Sequence, residues 1–598
     1  MSDIEKVAVF DERIVQSRPV YAVEKGAVSL TNVPFSAIAQ NSGQQTYQIQ
    51  VPSENVYVDR SVDWTSTCYL TFKVTNIGMP GDVIAQLGVD LALAQFPLHT
   101  LVQTLSATIN DTTVTMNTSD VLREVLRLTD HQKNRMQRTC PTYPDNYYSY
   151  DDAYGTSSNP LGGYGITTSP SEVKNGAYYN VAFCSPAGVE TTGTTYNNVG
   201  STSAGGTITI NNGVPQITSV GTSAGVFNLY LRFTSTEKLV LSPFVFSDVH
   251  ANDTGLFGIQ NIQLVMNMQA PSFTGLNGRV LRTQSAYGNT VSFNDSPNTL
   301  AYHTPTGGSS PFAESRLNVQ FLTPSLDLPL PPRSIVPYME FPRYVTAMSK
   351  NLVANTATSG QMSQTITLPS IPDLLIIYAK PNTYSVNEAD WYLPITQLSV
   401  NFDNFSGLLS SHSASQLYQM SVANGLVMDF NQWIGKANNG AINGGTDGLV
   451  PLTGGFLVLK PSKDITLQSG QAPSLVGNFT FQFNCTVVNN TAADVPNWNL
   501  WVITANSGFF ESVKGSSRIV KGVLDERSII SAPPGDVSRS SLDRMVGGSI
   551  FKNRMGNAFT KVRNMLNLGK DMNSPSAPMA MAAAKSAGRK GLEKLVRG

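Results

Sequence analysis

Phe479-Thr-Phe-Gln-Phe-Asn-Cys485 places an apolar side chain at every second position. Because successive side chains of a β-strand point to opposite faces, this alternation predicts a strand with one buried face. The same alternation recurs in both halves of the chain, at residues 68–74, 227–233, 262–268 and 374–378. Clusters of Gly, Pro, Asn and Ser separate these runs, which indicates antiparallel β-sandwiches.

An ordered repeat extends this pattern to the whole chain. Three pairs of segments match in the same order in both halves: Tyr-Gln-Ile-Gln-Val-Pro-Ser (47–53) with Gln-Thr-Ile-Thr-Leu-Pro-Ser (364–370), Leu-Ser-Ala-Thr-Ile-Asn-Asp (105–111) with Leu-Ser-Val-Asn-Phe-Asp-Asn (398–404), and Leu-Val-Leu-Ser-Pro (239–243) with Leu-Val-Leu-Lys-Pro (457–461). A period of roughly 300 residues is too long for a solenoid and fits one whole domain. The sequence therefore predicts two copies of one sandwich, with Ile109 and Phe402 on equivalent strands.

Short helices are predicted at corresponding places of the two halves. Ser119 can cap a first helix with one apolar stripe, formed by Val121, Leu122, Val125 and Leu126. Its counterpart spans about residues 413–422, with Leu417 and Met420 facing inward. Each half is therefore expected to be a sandwich with a short helix between equivalent strands.

The repeat and the changes in composition divide the chain into six parts. A stretch at about 139–225, rich in Tyr, Gly, Ser, Thr and Asn, has no counterpart in the second half and is expected on the surface. The predicted parts are an N-terminal arm (1–45), the first sandwich with this insertion (46–270), an interdomain connection (271–315), the second sandwich (316–512), a linker (513–548) and a tail (549–598).

The overall composition favours self-association over catalysis. Charged residues make up only 14% of the chain, well below the usual quarter. A chain with few charges repels copies of itself weakly, which suits dense packing of many copies. No secretory signal or membrane span is expected from the sequence, so synthesis inside the host cell, in the cytoplasm, is expected. The four cysteines form no CxxC pair, and Cys68 and Cys485 are expected to be buried free thiols.

No constellation of residues predicts catalysis, a cofactor or a metal ion. The five histidines lie at no helical ligand spacing to one another. The cluster of Asp145, Asp151 and Asp152 with nearby tyrosines could indicate a calcium or sugar site, but a solvated loop packed by tyrosines is favoured. The protein is therefore predicted not to be an enzyme.

The charge is distributed unevenly along the chain. The last 50 residues hold 10 basic and 2 acidic residues, a net charge of +8, while the preceding 548 hold 30 basic and 39 acidic residues, a net charge of −9. A basic tail on a mildly acidic body indicates that the tail has its own partner.

The change in charge coincides with Met545-Val-Gly-Gly-Ser549. Two glycines in an extended apolar context fit a narrow protease cleft, where side chains would clash. Met545, Gly547, Gly548 and Ser549 are therefore candidates for a processing site, with a plain flexible hinge as the alternative.

The tail can form an amphipathic helix over residues 550–568, with one apolar and one basic face. The basic residues considered are Lys552, Arg554, Lys561 and Arg563. Such a helix suits an acidic lipid surface, nucleic acid or an inner protein layer, and a solvated helix packed on its own body is the remaining alternative.

Several long motifs resemble one family of proteins. They are Phe96-Pro-Leu with Leu105-Ser-Ala-Thr-Ile-Asn110, Tyr150-Asp-Asp-Ala-Tyr-Gly155 with Asn159-Pro-Leu-Gly162, Leu317-Asn-Val-Gln-Phe-Leu-Thr-Pro324 with Leu328-Pro-Leu-Pro-Pro-Arg333, and Leu542-Asp-Arg-Met-Val-Gly-Gly-Ser549 before the basic tail. Together they resemble the double jelly-roll major capsid proteins of virophages and related small double-stranded DNA viruses. The resemblance covers most of the chain but not residues 187–218.

The resemblance implies an all-β fold of two tandem antiparallel jelly-roll β-sandwiches with short helices in the connecting loops. It further implies a homotrimer, a pseudo-hexameric capsomer that tiles an icosahedral virion shell around double-stranded DNA. The implied partners are neighbouring capsomers, penton and minor capsid proteins, a viral cysteine protease that cuts at the Met-x-Gly-Gly pattern, and DNA or an inner membrane for the tail.

Two other classes of function remain as alternatives. A carbohydrate-binding β-sandwich surface or fibre protein would fit the β content and the tyrosine-rich loop, but it predicts a secretion signal. A β-sandwich hydrolase would require a convergent acid pair or nucleophile, for which the sequence offers no candidate.

Overall fold

The computed structural model describes most of the chain between residues 29 and 521. The described ranges are 29–53, 55–76, 81, 83–87, 91–129, 139–142, 144–148, 178–197, 204–211, 214–220, 225–244, 255–269, 280–283, 286–287, 291–293, 300–323, 334–382, 384, 388–438, 449–468 and 471–521.

The first half forms two facing antiparallel sheets. One has the order β1-β20-β5-β14-β10, with four short strands at its margins. Its strands are β1 (Ser29–Ser36), β4 (Tyr57–Val58), β5 (Asp63–Asn76), β10 (Val181–Phe183), β14 (Gly225–Lys238), β17 (Ala286–Tyr287), β18 (Val291–Phe293), β19 (Ala301–Tyr302) and β20 (Phe312–Thr323). The other has the order β2-β3-β15-β8-β9, with strands β2 (Ala39–Gln40), β3 (Gln44–Gln50), β8 (Val102–Ile109), β9 (Thr112–Met116) and β15 (Asn261–Met268).

Two smaller sheets accompany this half. One has the order β11-β12-β13-β6 and joins part of the predicted insertion to a segment that follows β5. Its strands are β6 (Val83–Gln86), β11 (Thr195–Asn197), β12 (Ala204–Asn211) and β13 (Val214–Ser219). The other pairs β7 (Leu91–Leu93) with β16 (Leu281–Thr283).

The second half repeats the two main sheets. The first has the order β21-β32-β25-β30, with β22 and β33 also paired to β32. Its strands are β21 (Ser334–Glu340), β22 (Arg343–Met348), β25 (Leu374–Pro381), β30 (Leu457–Leu459), β32 (Trp498–Val513) and β33 (Ser516–Lys521). The second has the order β23-β31-β26-β27, with β24 also on β31. Its strands are β23 (Thr356–Met362), β24 (Ile366–Ser370), β26 (Ile395–Phe402), β27 (Phe405–Leu408) and β31 (Val476–Asn489), while β28 (Lys436–Asn438) and β29 (Leu449–Pro451) form a separate hairpin.

Each half has the strand order of a jelly roll. Each half has eight main strands, which are divided between two facing sheets. Counted along the chain, the first, third, sixth and eighth strands lie in one sheet, and the other four lie in the second sheet. We call β1–β20 the first roll and β21–β33 the second roll. The expected all-β double jelly roll is thereby confirmed.

The registers of the sheets align the two rolls residue by residue. In the first roll Ile262 pairs with both Ile49 and Ile109. In the second roll Phe481 pairs with both Ile366 and Phe402. The repeat predicted from the sequence therefore occupies equivalent strands. All six of these side chains are buried in the hydrophobic core.

The described residues include four short helices, α1 (Pro97–Thr100), α2 (Thr118–Leu126), α3 (Ala414–Ala423) and α4 (Phe430–Ile434). The stripe predicted for α2 is buried, but the predicted cap is wrong, because Asn117 precedes the helix and Ser119 lies inside its first turn. For α3 the predicted span of about 413–422 is confirmed, with Leu417 buried and Met420 half-buried against the core. The helix begins with a capping box, in which the side chains of Ser413 and Gln416 each bond the backbone of the other residue.

Three of the expected domain boundaries differ from the observed strands. β1 lies within the predicted arm, because all eight of its residues pair with β20. β20 crosses the predicted boundary at residue 316 and belongs to the first roll, where it pairs with β5. β33 lies within the predicted linker, because it pairs with β32. The connection between the rolls therefore lies between Thr323 and Ser334, and it contains the proline-rich run at 328–333.

Both rolls contribute to one continuous hydrophobic core, in which Trp64, Trp433 and Trp498 are fully buried. All four cysteines are free and buried, as expected for Cys68 and Cys485.

Candidate functional site

The charged face of α2 is buried against the second roll. Asp120, Arg123, Glu124 and Arg127 recur at the spacing of one helix face, opposite to the apolar stripe that enters the first roll. Such a face is normally solvated. Here, however, Glu124 is only 1% exposed and Arg127 only 2% exposed. We call the contact between the second roll and α2, together with the residues that flank α2, the junction.

Glu124 is the buried carboxylate at the centre of the junction. Its Oε1 accepts a hydrogen bond of 3.1 Å from the hydroxyl of Tyr392 and lies 3.6 Å from Nζ of Lys380. The ammonium of Lys380 in turn lies over the rings of Tyr378 and Trp501, 5.4 and 5.2 Å from their centroids. One carboxylate of the first roll therefore orders a cation and two aromatic rings of the second roll.

Arg123 within α2 and Arg127 at its C-cap bind other groups of the second roll. Arg123 forms an ion pair with Asp390. Arg127 lies 5.3 Å from the centroid of Tyr392 and donates to the backbone carbonyl of Asp390 over 3.5 Å. The backbone amide of Val427 donates to the carbonyl of Arg127 over 3.1 Å. The charge of Arg123 is thus balanced by a carboxylate, whereas the charge of Arg127 is met by an aromatic ring and a backbone carbonyl.

Burial holds the tyrosines of the junction in their neutral form. It raises the pKa of Tyr378 and of Tyr392 well above the usual value, and the negative charge of Glu124 raises both further. The hydroxyl of Tyr378 donates to the backbone carbonyl of Asp120 over 3.3 Å. Both phenols therefore act as hydrogen-bond donors to the first roll across the whole accessible pH range.

A second contact zone lies at the turn between β8 and β9. Ser517 of the second roll donates through its amide to Asp111 Oδ1 over 2.6 Å and through its hydroxyl to the carbonyl of Ile109 over 2.5 Å. Nearby, the amide of Gly515 donates to the carbonyl of Gly258 over 2.8 Å. A Cβ at Gly258 would lie 2.9 Å from the amide nitrogen of Lys514, so this close approach of two backbones requires glycine.

The loop after α2 forms a third contact zone. The amide of Ala389 donates to the carbonyl of Tyr148 over 2.9 Å, and the ring of Tyr148 packs edge-on against Trp391 at 5.1 Å. The amide of Thr453 donates to the carbonyl of Asn146 over 3.0 Å. Three zones along the length of the rolls therefore fix them as one block.

A buried acid–base pair lies inside the first roll. Nδ1 of His99 lies 2.6 Å from Glu237, and both side chains are fully buried. Glu237 also accepts from the amides of Leu98 and His99 and from the hydroxyl of Ser235. Since every partner belongs to the fold, the pair anchors α1 to the end of β14.

The residues singled out from the sequence as sites lie outside the described part of the chain. They are Met545, Gly547, Gly548 and Ser549 of the processing site, and Lys552, Arg554, Lys561 and Arg563 of the basic tail. Sequence reasoning did not identify the junction. The only available signal was the regular spacing of four charges on α2, which is also the pattern of a solvated face.

Neither a metal centre nor a membrane helix is found in the described ranges. Among these residues no group of three or more His, Cys, Asp or Glu side chains could hold a metal ion. None of the helices described above is long and apolar enough to cross a membrane.

Two family models match the chain. The first, described as Sputnik virophage major capsid protein 1st domain, matches residues 2–322. The second, described as major capsid protein V20 C-terminal domain, matches residues 341–508. A protein of Sputnik virophage named as capsid protein V20 is 27% identical over 583 residues, covering 94% of this chain and 88% of the relative.

Solved structures show the same fold. A chain in the cryo-EM structure of the Sputnik virophage has a TM-score of 0.66 at 23% identity, covering 86% of this chain and 93% of that chain. The crystal structure of the mavirus major capsid protein has a TM-score of 0.54 at 12% identity, covering 85% of this chain and 93% of that chain.

Proposed function

Because this chain belongs to the family of the Sputnik virophage major capsid protein, we propose that it assembles as a homotrimer whose pseudo-hexameric capsomers tile an icosahedral shell around double-stranded DNA. It is a major capsid protein and a component of the virion capsid. The capsid role is structural, and its relatives give no indication of an enzymatic activity.

The observation that carries the proposal is the fixed pair of equivalent rolls. Two similar sandwiches in each chain, multiplied by three copies, present six similar edges, which suits sixfold packing of capsomers. Such packing needs a constant angle between the rolls, since a hinge would vary the shape of the hexagon. The buried charges of the junction, such as Arg123 and Glu124, supply that rigidity.

The same proposal extends to partners outside the trimer. Neighbouring capsomers, penton proteins and minor capsid proteins would contact the edges, and assembly would take place inside the host cell, in its cytoplasm. A viral cysteine protease would cut between Gly548 and Ser549. Before the cut, the +8 tail would bind DNA or an inner membrane, since both present dense negative charge.

The decisive experiment measures mass and shape of the purified full-length chain. Native mass spectrometry at neutral pH and moderate salt is expected to give three times the chain mass of 64.4 kDa. Negative-stain microscopy of the same sample is expected to show particles with hexagonal outlines. A chain that is monomeric over the whole micromolar range would overturn the trimer.

A further inference from the structure

One main sheet of each roll is built without a charged residue. These sheets are β2-β3-β15-β8-β9 in the first roll and β23-β31-β26-β27, with β24, in the second. As the structure describes them, none of their ten strands contains Asp, Glu, Lys, Arg or His. Because 14% of the whole chain is charged, two sheets of this length would be expected to hold several charged residues. We call the outer faces of these two sheets the uncharged faces.

The other main sheet of each roll contains charged residues, as the composition of the chain leads one to expect. Its strands hold seven charged residues in the first roll and six in the second. They are Asp63, Lys73, Arg232, Glu237, Lys238, Glu314 and Arg316 in the first roll, and Glu340, Arg343, Lys380, Glu511, Arg518 and Lys521 in the second. The same difference between the two sheets occurs in both rolls, so the low charge of the whole chain does not explain it.

The uncharged face of the first roll is polar rather than apolar. Gln263 and Asn267 are exposed and alternate with buried residues of the core. Nδ2 of Asn267 donates to Oγ1 of Thr104 on the neighbouring strand over 2.8 Å. The hydroxyls of Thr108 and Thr113 form a hydrogen bond of 2.9 Å between β8 and β9. Amides and hydroxyls therefore form a neutral, hydrogen-bonded layer over this sheet.

The uncharged face of the second roll has the same chemistry. Thr367 and Thr480 are exposed and pair with each other across β24 and β31. Oγ1 of Thr486 donates to Oε1 of Gln397 across β31 and β26 over 3.0 Å. Equivalent sheets of the two rolls thus present amides and hydroxyls to their surroundings.

Neither uncharged face is covered by the other roll of the chain. The second roll receives α2 on Tyr378 of β25 and Trp501 of β32, which belong to its charged sheet, so its uncharged face lies on the far side of the sandwich. The first roll meets the second at the margin of its uncharged sheet, where the hydroxyl of Thr112 on the edge strand β9 donates to the carbonyl of Ser517 over 2.6 Å. The central strand β15 of that sheet keeps Gln263 exposed.

The lack of charge indicates that these faces become buried against a partner. A sheet face that stays in water gains from charged side chains, which keep it soluble and prevent association. A face that loses its water loses by charge, because a desolvated charge costs far more than a desolvated amide or hydroxyl. Amides and hydroxyls both donate and accept hydrogen bonds, so one such face complements any other of the same kind. The partner that fits an uncharged face is therefore an uncharged face of another copy.

We propose that neighbouring trimers touch through the uncharged faces, and that the lack of charge allows either roll to meet either roll. The inference rests on the trimer and shell proposed above and adds the chemistry that joins the trimers. In a two-fold contact a face meets a copy of itself, so any charge on it would lie near the same charge. In a contact between unlike rolls, charge would favour one pairing over the others. A neutral layer serves both kinds of contact.

Oxidative footprinting of the wild-type protein tests the burial. Met362 pairs with Asn484 on the uncharged face of the second roll, and its side chain is 52% exposed. An exposed methionine is readily oxidised to the sulfoxide. Free trimers are therefore expected to be oxidised at Met362, and mature particles should lose most of this reactivity. Tyr179, which is 96% exposed and precedes β10, is the control and should react equally in both samples.

Added charge tests the chemistry of the contact. The double variant Gln263→Lys with Thr480→Lys gives both uncharged faces the same sign, so every pairing brings like charges together. Its trimers should form as in the wild type, because both positions are exposed. The yield of particles at low salt is expected to fall at least about tenfold and to recover as salt screens the charges. Thr192→Lys with Thr195→Lys is the matched control, since both residues are exposed at or before β11, and it should assemble as the wild type does.

Opposite charges on the two rolls test the free pairing. In Gln263→Lys with Thr480→Glu, unlike rolls attract each other and like rolls repel each other. The yield of particles at low salt is expected to lie between those of the wild type and the variant with two lysines. A yield as high as that of the wild type would mean that only unlike rolls meet, and it would contradict the free pairing.

The outcomes separate this inference from the trimer itself. A wild-type chain that is monomeric would overturn the trimer, the shell and the inference together. If the wild type forms trimers and particles, two results would overturn the inference alone. One is equal oxidation of Met362 in free trimers and in particles, or its protection by a different protein that cross-linking and mass spectrometry identify there. The other is a variant with two added lysines that yields as many particles as the control.

Discussion

Ile109 and Phe402 occupy the same point of the two jelly rolls. Each pairs across the sheet with one central residue, Ile262 or Phe481, and that residue pairs on its other side with Ile49 or Ile366. The central position of the row is 0% exposed in both rolls. Three isoleucines form the row in the first roll, whereas one isoleucine and two phenylalanines form it in the second, so the duplicated fold has kept its register while changing its packing.

The aromatic row of the second roll is expected to dominate its stability. Phe481→Ala removes a fully buried ring that stands between Ile366 and Phe402. The free energy of unfolding should fall by about 3–5 kcal/mol, since the sheet cannot close the cavity. Chemical denaturation followed by tryptophan fluorescence measures this change. Val476→Ala on the same strand is the control, and its exposed side chain should change the free energy by less than about 0.5 kcal/mol. Equal effects of the two would show that the row is not part of the core.

The duplicated fold could be predicted from the sequence because both of its signals are local. Alternation at 479–485 depends on the pleat of a single strand, and the paired motifs around Ile109 and Phe402 are short and ordered. The ends of the rolls are different. The boundary predicted at residue 316 places most of β20 in the second roll, although its pairing partners, β1 and β5, lie more than two hundred residues earlier in the chain. No local pattern specifies such a partner.

The junction could not be predicted for a related reason. The spacing of Asp120, Arg123, Glu124 and Arg127 is that of one helix face, and a solvated face has the same spacing. Burial of these charges is decided by Lys380, Asp390 and Tyr392, which come from strands and loops of the other roll. Nothing in the order of these residues marks them as partners.

Glu124 is expected to be the most sensitive charged residue of the junction. Glu124→Ala leaves the ammonium of Lys380 and the hydroxyl of Tyr392 without their common acceptor. Removing one partner of a buried ion pair costs about 3–5 kcal/mol of unfolding free energy. Glu124→Gln keeps an acceptor for Tyr392 and should cost less. Thermal unfolding of the two variants gives the comparison. If Glu124→Ala were as stable as the wild type, the ionic cluster would not hold the rolls together.

Asp111 is expected to make the second contact zone sensitive to acid. Hydrogen bonds from the backbone and side chain of Ser517 and from Ser516 lower the pKa of Asp111 below its usual value of 3.8. A lowered pKa in the folded state means that the stabilisation is present above about pH 4 and is lost as the pH falls through the lower, folded value. Hydrogen exchange of the Ser517 amide, corrected for its intrinsic pH dependence, should therefore accelerate below pH 4.

Asp111→Asn supplies the comparison for this pH dependence. The variant should exchange the Ser517 amide faster than the wild type at pH 6, and the difference should shrink as the pH falls, because protonation of Asp111 removes the charge that distinguishes the two side chains. Asp494→Asn is the matched control, since the lowered pKa of Asp494 arises from bonds to Ala354 and Asn351 within the second roll. It should leave exchange at Ser517 unchanged. A wild-type rate that is constant from pH 6 to pH 2 would contradict the role of Asp111.

Proteolytic cleavage of the tail is a prediction that one mass measurement can refute. Intact-mass analysis of mature particles is expected to show a major species that ends at Gly548, because Met545-Val-Gly-Gly-Ser549 presents two residues without side chains at the change in charge. Gly548→Val should block the cut, since a branched side chain cannot enter a cleft shaped for glycine. Gly556→Val makes the same change within the tail and should leave the cut unaffected. A mature species that still ends at Gly598, or a cut inside the second roll, would refute the assignment.

Deleting residues 549–598 separates the function of the tail from the folding of the body. The strands that the structure describes in both rolls end by Lys521, so the shortened chain should form trimers as stable as those of the full chain. Particle assembly should nevertheless be impaired, since the deletion removes the net charge of +8 that would hold DNA or a membrane. Binding of the full chain to DNA should weaken steeply as salt rises, and the shortened chain should show little binding at any salt concentration. If the deletion instead prevented trimer formation, the tail would be part of the folded block, and the boundary at Gly548 would be wrong.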